Sequence, residues 1–358
     1  MAFNEAQKRA IRHTDGPALV LAGPGSGKTT VITNRVRYLT EKVGVEPGNI
    51  LVITFTRAAA REMKERYERI TGTGCSRVSF GTFHSVFFMI LKLAYRYQAS
   101  NIVKEEQRIQ FIREQLDRTD LEIEDEGEFI ASVLSEISLI KGELMSLDNY
   151  YAKSCSQTVF KELYEGYEGC LRKQGLLDFD DMLAMCYELF KERKDILQAW
   201  QRKYKYILID EFQDINRIQY EIIKMLALPE NNLFIVGDDD QSIYRFRGAR
   251  PELMLGFEKD YPEAERILLD INYRSVSTIT ESAGKVISHN KTRFPKEICA
   301  LRGTGRPVDI RLWPDPVNET LAIVSQLRDY AQMGIPYEEI AVLYRTNLGP
   351  RLLIEKLM

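Results

Sequence analysis

A glycine-rich stretch, AGPGSGKT at residues 22–29, has residue types and spacing suited to holding a phosphate group. It follows the apolar segment PALVLAG (17–23) and precedes a segment with helix periodicity. Glycines let backbone N–H groups turn towards phosphate oxygens, and a helix N-terminus adds a favourable dipole. In this pattern Lys28 reaches the β- and γ-phosphates of a nucleotide, and the Thr29 hydroxyl holds Mg²⁺. The alternative is a glycine-rich turn that ends by chance in Lys-Thr.

We expect the whole loop to bind the nucleotide. The strict motif has glycine at its first position and this chain has Ala22, but that position needs only a small residue. The expected nucleotide-binding residues of the loop are Ala22, Gly23, Pro24, Gly25, Ser26, Gly27, Lys28, Thr29 and Thr30.

A second stretch, YILIDEFQD at 206–214, places acids at the end of an apolar segment. If that segment is a buried strand, Asp210 emerges at the carboxyl edge of the sheet, where ligands bind. Asp210 suits a Mg²⁺ ligand, and Glu211 suits a group that orients or deprotonates an attacking water. Asp214 can alternatively serve as the N-cap of the following helix. Together the two stretches predict an enzyme that hydrolyses a nucleoside triphosphate, with Mg²⁺ bound.

The elements that must position these residues alternate between apolar strands and helices, which predicts a parallel sheet covered on both faces. Three strands and three helices precede the helical region described next, and three further strands follow it. The predicted strands are 17–23, 49–55, 77–80, 206–210, 232–237 and 265–270, and the predicted helices of the first half are 28–43, 57–70 and 82–97.

Between about 101 and 200 only helix periodicity is found, which predicts an all-helical domain inserted into the α/β domain. A turn-rich break follows at 300–307. After it, VDIRLW (308–313), a helix near 317–332, IAVLY (340–344) and a final helix predict the start of a second α/β unit. We expect that unit to be incomplete, since one such run is too small to bury its own core.

The composition excludes several classes of protein. The 358 residues are 44% hydrophobic and 28% charged with a net charge of −3, which is typical of a globular protein with two or three domains. The five cysteines form no CxxC pair and only three histidines are present, which disfavours a zinc or iron–sulfur site. The N-terminus lacks the apolar core of a signal peptide, and no apolar run approaches the ~20 residues that span a membrane. We therefore expect a cytoplasmic protein.

Seven short motifs in order give the chain its resemblance to a known family. They are FNEAQ (3–7), ITFTRAAAREM (53–63), GTFHS (81–85), DEFQD (210–214), GDDDQSIYRFRGA (237–249), NYRS (272–275) and AVLYRTN (341–347). Together they resemble the superfamily 1 helicases of the UvrD, Rep and PcrA type, over essentially the whole chain. NYRS alone is a weak signal, whereas seven motifs in this order are very specific.

The resemblance implies nucleotide-binding roles outside the glycine-rich loop. Gln7 is implied to bind adenine, Tyr273 to stack on it, and Arg35 to lie near the base and ribose. Gln241 is implied to contact the γ-phosphate and the attacking water, and Arg274 to pair with the γ-phosphate. Three of these roles have an alternative: Gln7 can be a surface helix residue, Tyr273 a core aromatic and Arg274 half of a surface ion pair.

The resemblance also implies a path for single-stranded DNA. Phe55 can alternatively finish a buried strand, and His84 can be a core or capping histidine beside an apolar helix. The residues implied to line the path are Phe55, Thr56, His84, Tyr244, Phe246 and Arg247.

The loop VGDDDQSIYRFRGA (236–249) combines acids, which repel nucleic acid, with aromatics and arginines, which attract it. We expect its acids, Asp238, Asp239 and Asp240, to lie on the Mg²⁺-ATP side as supporting or capping groups. The later aromatic residues would reach the DNA, so that one loop connects both sites.

The domain organisation implied by the resemblance has three parts. The first RecA-like motor domain, a P-loop NTPase fold, covers 1–100 and 178–275, the helical inserted domain covers 101–177, and the second RecA-like domain begins at 276–358. The implied function is that of an ATP-dependent DNA helicase or translocase, 3′ to 5′, acting in repair or replication as a monomer on single strands and duplex junctions. The alternatives are an ATP-responsive DNA-binding module without turnover, and the motor part of a helicase–nuclease.

The chain also departs from the family pattern. Two further family motifs and a large second inserted domain do not occur before Met358, so we expect this chain alone to hydrolyse ATP poorly and not to unwind DNA. Thr30 stands where several family members have an arginine that contacts the nucleotide.

Overall fold

Six parallel strands form the central sheet, in the order β3-β2-β4-β5-β1-β6. The computed structural model describes residues 3–119, 121–346 and 348–358. The chain forms two units, residues 1–305 and 306–358. The strands of the first unit are β1 Ala18–Ala22, β2 Ile50–Thr54, β3 Ser79–Thr82, β4 Tyr206–Ile209, β5 Leu233–Gly237 and β6 Glu265–Leu269. Two short parallel strands, β7 Ile271–Asn272 and β8 Cys299–Ala300, pair separately.

The strands at the centre of the sheet are buried on both faces, which explains their unbroken apolar sequences. In β1, Leu19 and Leu21 pack into one apolar core, whereas Ala18 and Val20 pack into the core on the opposite face. Side chains of a strand alternate between faces, so each strand supplies both cores. The prediction of an α/β fold with a parallel sheet covered by helices is confirmed.

The described residues form fifteen α-helices, thirteen in the first unit and two in the second. Helix α2 continues into a π-helical turn, Leu39–Val43, that ends at Gly44 in the left-handed conformation. The helices are α1 Glu5–Arg12, α2 Lys28–Tyr38, α3 Arg57–Thr71, α4 Phe83–Tyr95, α5 Glu105–Leu116, α6 Glu126–Gly142, α7 Gln157–Gln174, α8 Phe179–Glu192, α9 Lys194–Lys203, α10 Arg217–Ala227, α11 Pro251–Leu255, α12 Phe257–Asp260, α13 Ser277–Ile287, α14 Pro316–Gln332 and α15 Arg351–Leu357. No described helix is both long and apolar enough to cross a bilayer.

The helical region between α4 and α8 has an apolar core of its own, built from α5, α6 and α7. Its two ends meet: the N–H of Val103 donates to the carbonyl of Leu177 (2.9 Å), and the N–H of Leu177 donates to the carbonyl of Asn101 (2.7 Å). The chain therefore leaves and re-enters the α/β layer at one point. The boundaries of an inserted domain at 101–177 stay a prediction.

In the second unit, α14 and α15 form, and each buries one apolar residue, Val324 and Leu353. The expected strands at 308–313 and 340–344 are not formed among the described residues. Leu312 and Leu343 are 94% and 93% exposed. An apolar segment becomes a strand only when a neighbouring strand completes its hydrogen-bond ladder, and these segments have none in the described part of this unit. Asn347, the last residue of AVLYRTN, lies outside the described residues.

A buried lysine fastens the helical region to α8. The Nζ atom of Lys141, on α6, lies 2.6 Å from Glu168, 2.9 Å from Asp178 and 2.6 Å from Asp181. Asp178 is fully buried and caps α8. Burial by itself would lower the pKa of Lys141, but the three carboxylates outweigh it and hold the pKa well above its ordinary value. One ammonium on α6 therefore pairs with carboxylates from α7 and from the start of α8.

We predict that Lys141→Met destabilises the protein by about 3–5 kcal/mol, because it leaves buried carboxylates without a counter-charge. Urea unfolding followed by circular dichroism measures the loss. The control is Lys161→Met, which breaks an exposed ion pair with Asp148 and should cost less than about 1 kcal/mol. Equal losses in the two variants would contradict a structural role for the buried charge.

Candidate nucleotide and nucleic-acid site

The phosphate loop joins β1 to α2 and owes its shape to two glycines. Gly25 and Gly27 have φ of +64° and +86°, in the left-handed region that side chains disfavour. Gly27 is also the N-cap of α2, so the first turn of that helix opens directly onto the loop. At Gly25 a Cβ atom would lie 2.7 Å from the Cβ of Arg274. Position 25 therefore requires glycine for two reasons: the left-handed backbone conformation and the close approach of Arg274.

The other loop residues follow from this path. Ala22 and Gly23 are buried, whereas Pro24 is exposed. The N–H of Ser26 donates to the carbonyl of Gly23 (3.2 Å), which closes the turn. Ala22 is the last residue of β1, the strand that lies between β5 and β6 in the sheet.

Lys28 and Glu211 meet at the mouth of the loop, with Nζ 2.8 Å from Oε2. Glu211 has φ of +52°, an uncommon conformation for a residue with a side chain, and Gln213 also donates to its Oε2 (2.9 Å). Strained backbone of this kind is concentrated at functional sites. The structure thus brings together the lysine and the acid that the sequence predicts to act on the γ-phosphate and the water.

Asp210 is buried beside them, and its Oδ1 has no hydrogen-bond partner among the described residues. Burial, and after it the negative charge of Glu211, raise the pKa of Asp210 to about 7, although Lys28 opposes the shift. Thr29 lines the same cleft. A buried carboxylate oxygen without a donor, next to a hydroxyl, fits Mg²⁺, which prefers oxygen ligands.

Asp214 does not cap the next helix. The N-cap of α10 is Asn216, whose side chain accepts from the N–H of Gln219 (3.0 Å). Asp214 instead lies near Glu211, and burial together with that charge raises its pKa to about 6. The alternative that Asp214 caps α10 is therefore wrong. A short 3₁₀ turn, Phe212–Asp214, intervenes, and the N-cap lies two residues after it.

Gln7 and Tyr273 both lie against the phosphate loop. Nε2 of Gln7 donates to the carbonyl of Ser26 (3.0 Å), and the N–H of Tyr273 donates to the carbonyl of Gly25 (3.0 Å). Nδ2 of Asn4 donates to the Tyr273 hydroxyl (3.0 Å), so the N-cap of α1 joins the two residues. Gln7 is buried rather than a surface residue, and its contact with an adenine stays a prediction.

Thr30 receives a hydrogen bond that the sequence does not indicate: Nη1 of Arg66 donates to its Oγ1 (3.1 Å). Arg66 lies on α3, three residues beyond the ITFTRAAAREM motif. An arginine therefore does lie beside the start of α2, although it comes from another helix.

Arg35 is not at the nucleotide site, and the expected contact with base and ribose is wrong for this structure. Its side chain is 1% exposed, with the guanidinium 4.2 Å from the ring centre of Phe234 in the sheet. Nη2 donates to the carbonyl of Thr14 (3.2 Å), and burial lowers the pKa of Arg35 to about 9. Position 35 is two helical turns beyond Lys28, about 10 Å along α2, and there the helix faces the sheet.

The NYRS segment packs against the phosphate loop. Oδ1 of Asn272 accepts from the N–H groups of Arg274 (2.8 Å) and Ser275 (2.7 Å), which fixes the turn after β7. Arg274 is exposed, and its Cβ lies against Gly25. The side chain of Arg274 therefore begins beside the phosphate loop.

Four of the residues expected to bind DNA form one cluster. Phe55 and Tyr244 stack with ring centres 5.4 Å apart, and Tyr244 and Phe246 lie 6.1 Å apart. The guanidinium of Arg247 lies 5.5 Å from both of the latter rings. Phe246 is 67% exposed, and Phe55 is partly exposed at the end of β2 rather than buried.

Thr56 and His84 have other immediate roles. Thr56 is the N-cap of α3 and accepts from the N–H of Ala59 (3.1 Å). His84 packs edge-on against Phe179, with ring centres 5.3 Å apart, and burial lowers its pKa. Both the core role and the DNA contact of His84 stay predictions.

A single cleft of about 350 Å³ joins the two halves of the site. Residues expected at the Mg²⁺-ATP end and residues of the aromatic cluster line the same cavity. Its walls include Thr29, Asp210, Glu211 and Gln241 as well as Phe55 and Tyr244. The loop after β5 contributes to both ends, as its composition indicated.

The acids of that loop are paired with two cations that sequence reasoning missed. Asp238 caps the short turn Asp239–Gln241, which confirms a capping role for that acid. All three acids also bond to Lys296, and Asp240 pairs with Arg293. The two cations lie after α13, in the segment RFPK (293–296), and only charge complementarity across more than fifty residues hints at the pairing.

The family comparisons cover nearly the whole chain. Residues 3–262 match the family described as UvrD/REP helicase N-terminal domain. Residues 267–358 match the family described as UvrD-like helicase C-terminal domain.

Individual relatives agree with these matches. YjcD of Bacillus subtilis is 42% identical over 364 residues, which cover 100% of this chain and 48% of YjcD. The ATP-dependent DNA helicase PcrA of Bacillus subtilis is 39% identical, and PcrA of Staphylococcus aureus is 37% identical, each over 99% of this chain and 49% of the relative. The chain spans about half the length of the curated relatives it matches. With a parallel sheet, a phosphate loop and two adjoining family matches, the chain belongs to the UvrD/REP helicase family.

Proposed function

We propose that this chain binds ATP and single-stranded DNA at the two ends of one cleft, as part of an ATP-dependent DNA helicase or translocase. The observation that carries the proposal is the shared cleft, in which Asp210, Glu211 and Gln241 line one cavity with two rings of the aromatic cluster, Phe55 and Tyr244. The relatives named PcrA are ATP-dependent DNA helicases.

At the nucleotide end, Lys28 and Arg274 supply positive charge for the phosphates, and the glycine-rich loop supplies N–H groups. Thr29 and Asp210 would hold Mg²⁺, which neutralises charge on the phosphates when it is bound. Support for this pair comes from the unpartnered Oδ1 of Asp210. The phosphate loop leads directly into the N-terminus of α2, and that arrangement suits the phosphates of ATP.

Glu211 is the proposed general base. It accepts a proton from the attacking water as the new O–P bond forms, and the bond from the γ-phosphorus to the bridging oxygen breaks, with ADP leaving. The ion pair with Lys28, with Nζ 2.8 Å from Oε2, holds this carboxylate at the mouth of the phosphate loop, where the attacking water would lie.

Gln241 is the proposed group that orients the water. A carboxylate can only accept, so the amide atom 2.7 Å from Oδ2 of Asp238 is the Nε2 donor. One Nε2 hydrogen is then used by Asp238, and the second remains for a γ-phosphate oxygen. Oε1 remains to accept a hydrogen bond from the water.

At the DNA end, we propose that bases stack on Phe246 and on its neighbours while Arg247 attracts the backbone. Stacking on an aromatic ring contributes ~1–3 kcal/mol per base and tolerates any base, which suits a motor that moves along all sequences. Phe246 is 67% exposed and its ring lies 6.1 Å from that of Tyr244, which lines the cleft, so a base that stacks on Phe246 stays close to the cavity.

Family membership supports several finer features of the proposal. We propose 3′ to 5′ movement, a role in DNA repair or replication, and action on junctions between duplex and single-stranded DNA. We also propose that 1–100 with 178–275 is the first motor domain, 101–177 an inserted helical domain and 276–358 the start of the second motor domain. The meeting of the chain ends near Asn101 and Leu177 supports the insertion.

We predict that Glu211→Gln lowers the rate of ATP hydrolysis by about 10²–10⁴-fold, because the amide cannot accept the proton of the water. ATP affinity should change only a few-fold. Phosphate release and binding of a fluorescent ATP analogue, each with single-stranded DNA present, measure the two quantities. The control is Glu62→Gln, an acid that lines the same cleft.

Loss of activity of similar size in both variants would contradict the role of Glu211 as the base. Both variants are compared in the complete protein; if that protein without a substitution binds ATP and DNA but shows no turnover, the alternative of an ATP-responsive DNA-binding module replaces the helicase proposal.

We predict that Phe246→Ala weakens binding of single-stranded DNA by about 1–3 kcal/mol, because a stacking platform is lost. The dependence of affinity on salt should not change, since no phosphate contact is removed. Fluorescence anisotropy with a labelled oligonucleotide at several salt concentrations measures both. Tyr151→Ala, at another exposed aromatic, is the control. An unchanged affinity in Phe246→Ala would refute the stacking role.

A further inference from the structure

The segment RFPK (293–296) places a buried lysine among the acids of the loop after β5. The side chain of Lys296 is 1% exposed, and its Nζ lies 2.7 Å from Asp238 and 3.0 Å from Asp240. It also forms an ion pair with Asp239. Lys296 is thus the cation common to all three carboxylates, two of which are almost completely inaccessible to solvent.

Two further groups of the same segment hold the loop. Arg293 donates two hydrogen bonds to Asp240, at 2.7 and 2.6 Å. The N–H of Phe294 donates to Asp239 (2.8 Å), and Phe294 itself is buried in the apolar core on one side of the sheet. The segment is therefore anchored by packing, and its lysine has one defined position.

Asp238 connects this lysine to the hydrolytic residues. Its side chain is fully buried; Oδ1 faces Lys296, whereas Oδ2 accepts from Nε2 of Gln241 (2.7 Å). Its N–H donates to Oε1 of Gln213 (3.0 Å), and Nε2 of Gln213 donates to Glu211, the partner of Lys28. A continuous path of hydrogen bonds thus runs from Lys296 to the phosphate loop.

The charge of Lys296 is what allows Asp238 to act in this path. A buried carboxylate without a counter-charge takes up a proton or moves towards water, because burial strongly disfavours the charged form. Three adjacent carboxylates with Arg293 alone would repel one another. Either response would remove the acceptor that fixes the amide of Gln241.

We propose that Lys296 is a positioning residue for nucleotide hydrolysis: by fixing the position of the Asp238 carboxylate, it orients the Gln241 amide towards the γ-phosphate and the attacking water. This inference rests on the proposed function. It assigns to a segment outside the seven motifs a role in distinguishing ATP from ADP.

The test is a binding measurement that needs no turnover. Equilibrium titrations with ADP and with a non-hydrolysable ATP analogue, both with Mg²⁺, give the preference for the triphosphate in the complete protein. We expect Lys296→Met to lower this preference by about tenfold, with ADP affinity nearly unchanged, because only the γ-phosphate contact depends on Gln241. Lys296→Arg should retain most of the preference.

A double-mutant comparison separates positioning from a general structural effect. If Lys296 acts through Gln241, then Lys296→Met adds no further loss in a protein that already carries Gln241→Ala. Lys291→Met, at an exposed lysine five residues earlier, is the matched control and should leave both affinities unchanged. Independent, additive losses from Lys296→Met and Gln241→Ala would overturn the inference.

Two provisions keep the result decisive. If Lys296→Met does not fold, the comparison is made with Asp239→Asn added, which restores the charge balance without touching the contact between Asp238 and Gln241. If the unmodified protein binds neither nucleotide, the proposed function fails and this inference with it. If it binds both and Lys296→Met keeps the triphosphate preference, the inference alone fails.

Discussion

Parallel pairing of β5 with both β4 and β1 is the constraint on which the site depends. Because the three strands run in one direction, their carboxyl ends meet at one edge of the sheet. That edge receives the phosphate loop after β1, the acids Asp210 and Glu211 after β4, and the long loop after β5. Residues separated by up to about two hundred positions in the chain come within hydrogen-bond distance there, as Lys28 and Glu211 show.

Buried charge is arranged in two places by the same device, one lysine among several carboxylates. Lys141 holds Glu168, Asp178 and Asp181 where the helical region meets α8, and Lys296 holds the acids of the loop after β5. A lone buried charge is too costly to persist, whereas a balanced cluster fixes the relative positions of the segments that supply it. The first cluster joins helices, and the second adjoins the hydrolytic residues.

The loop after β5 resolves the apparent conflict between its acids and its aromatic residues. The acids are paired with Lys296 and Arg293, which offset most of their charge and so weaken their repulsion of a nucleic acid. Beyond Gln241 the same loop turns outwards, and Tyr244 stacks on Phe55 from a different strand end. One loop therefore carries the paired acids at its start and the ring cluster, which packs on the end of β2, further along.

The α/β class, the six strands of the sheet and the phosphate loop could be predicted from the sequence, because each depends on neighbouring residues: unbroken apolar runs, helix periodicity and glycines before Lys28. Four features could not. Arg35 lies under the sheet, Asn216 rather than Asp214 begins α10, the segments 308–313 and 340–344 form no strands, and Lys296 pairs with acids up to 58 positions away. These features depend on which surfaces meet after folding. Local sequence determined the helices, the strands and the chemistry of the motifs. Only the tertiary structure decided which charges are buried together. The reason is that the free energy of a buried charge depends on neighbours that are distant in the sequence.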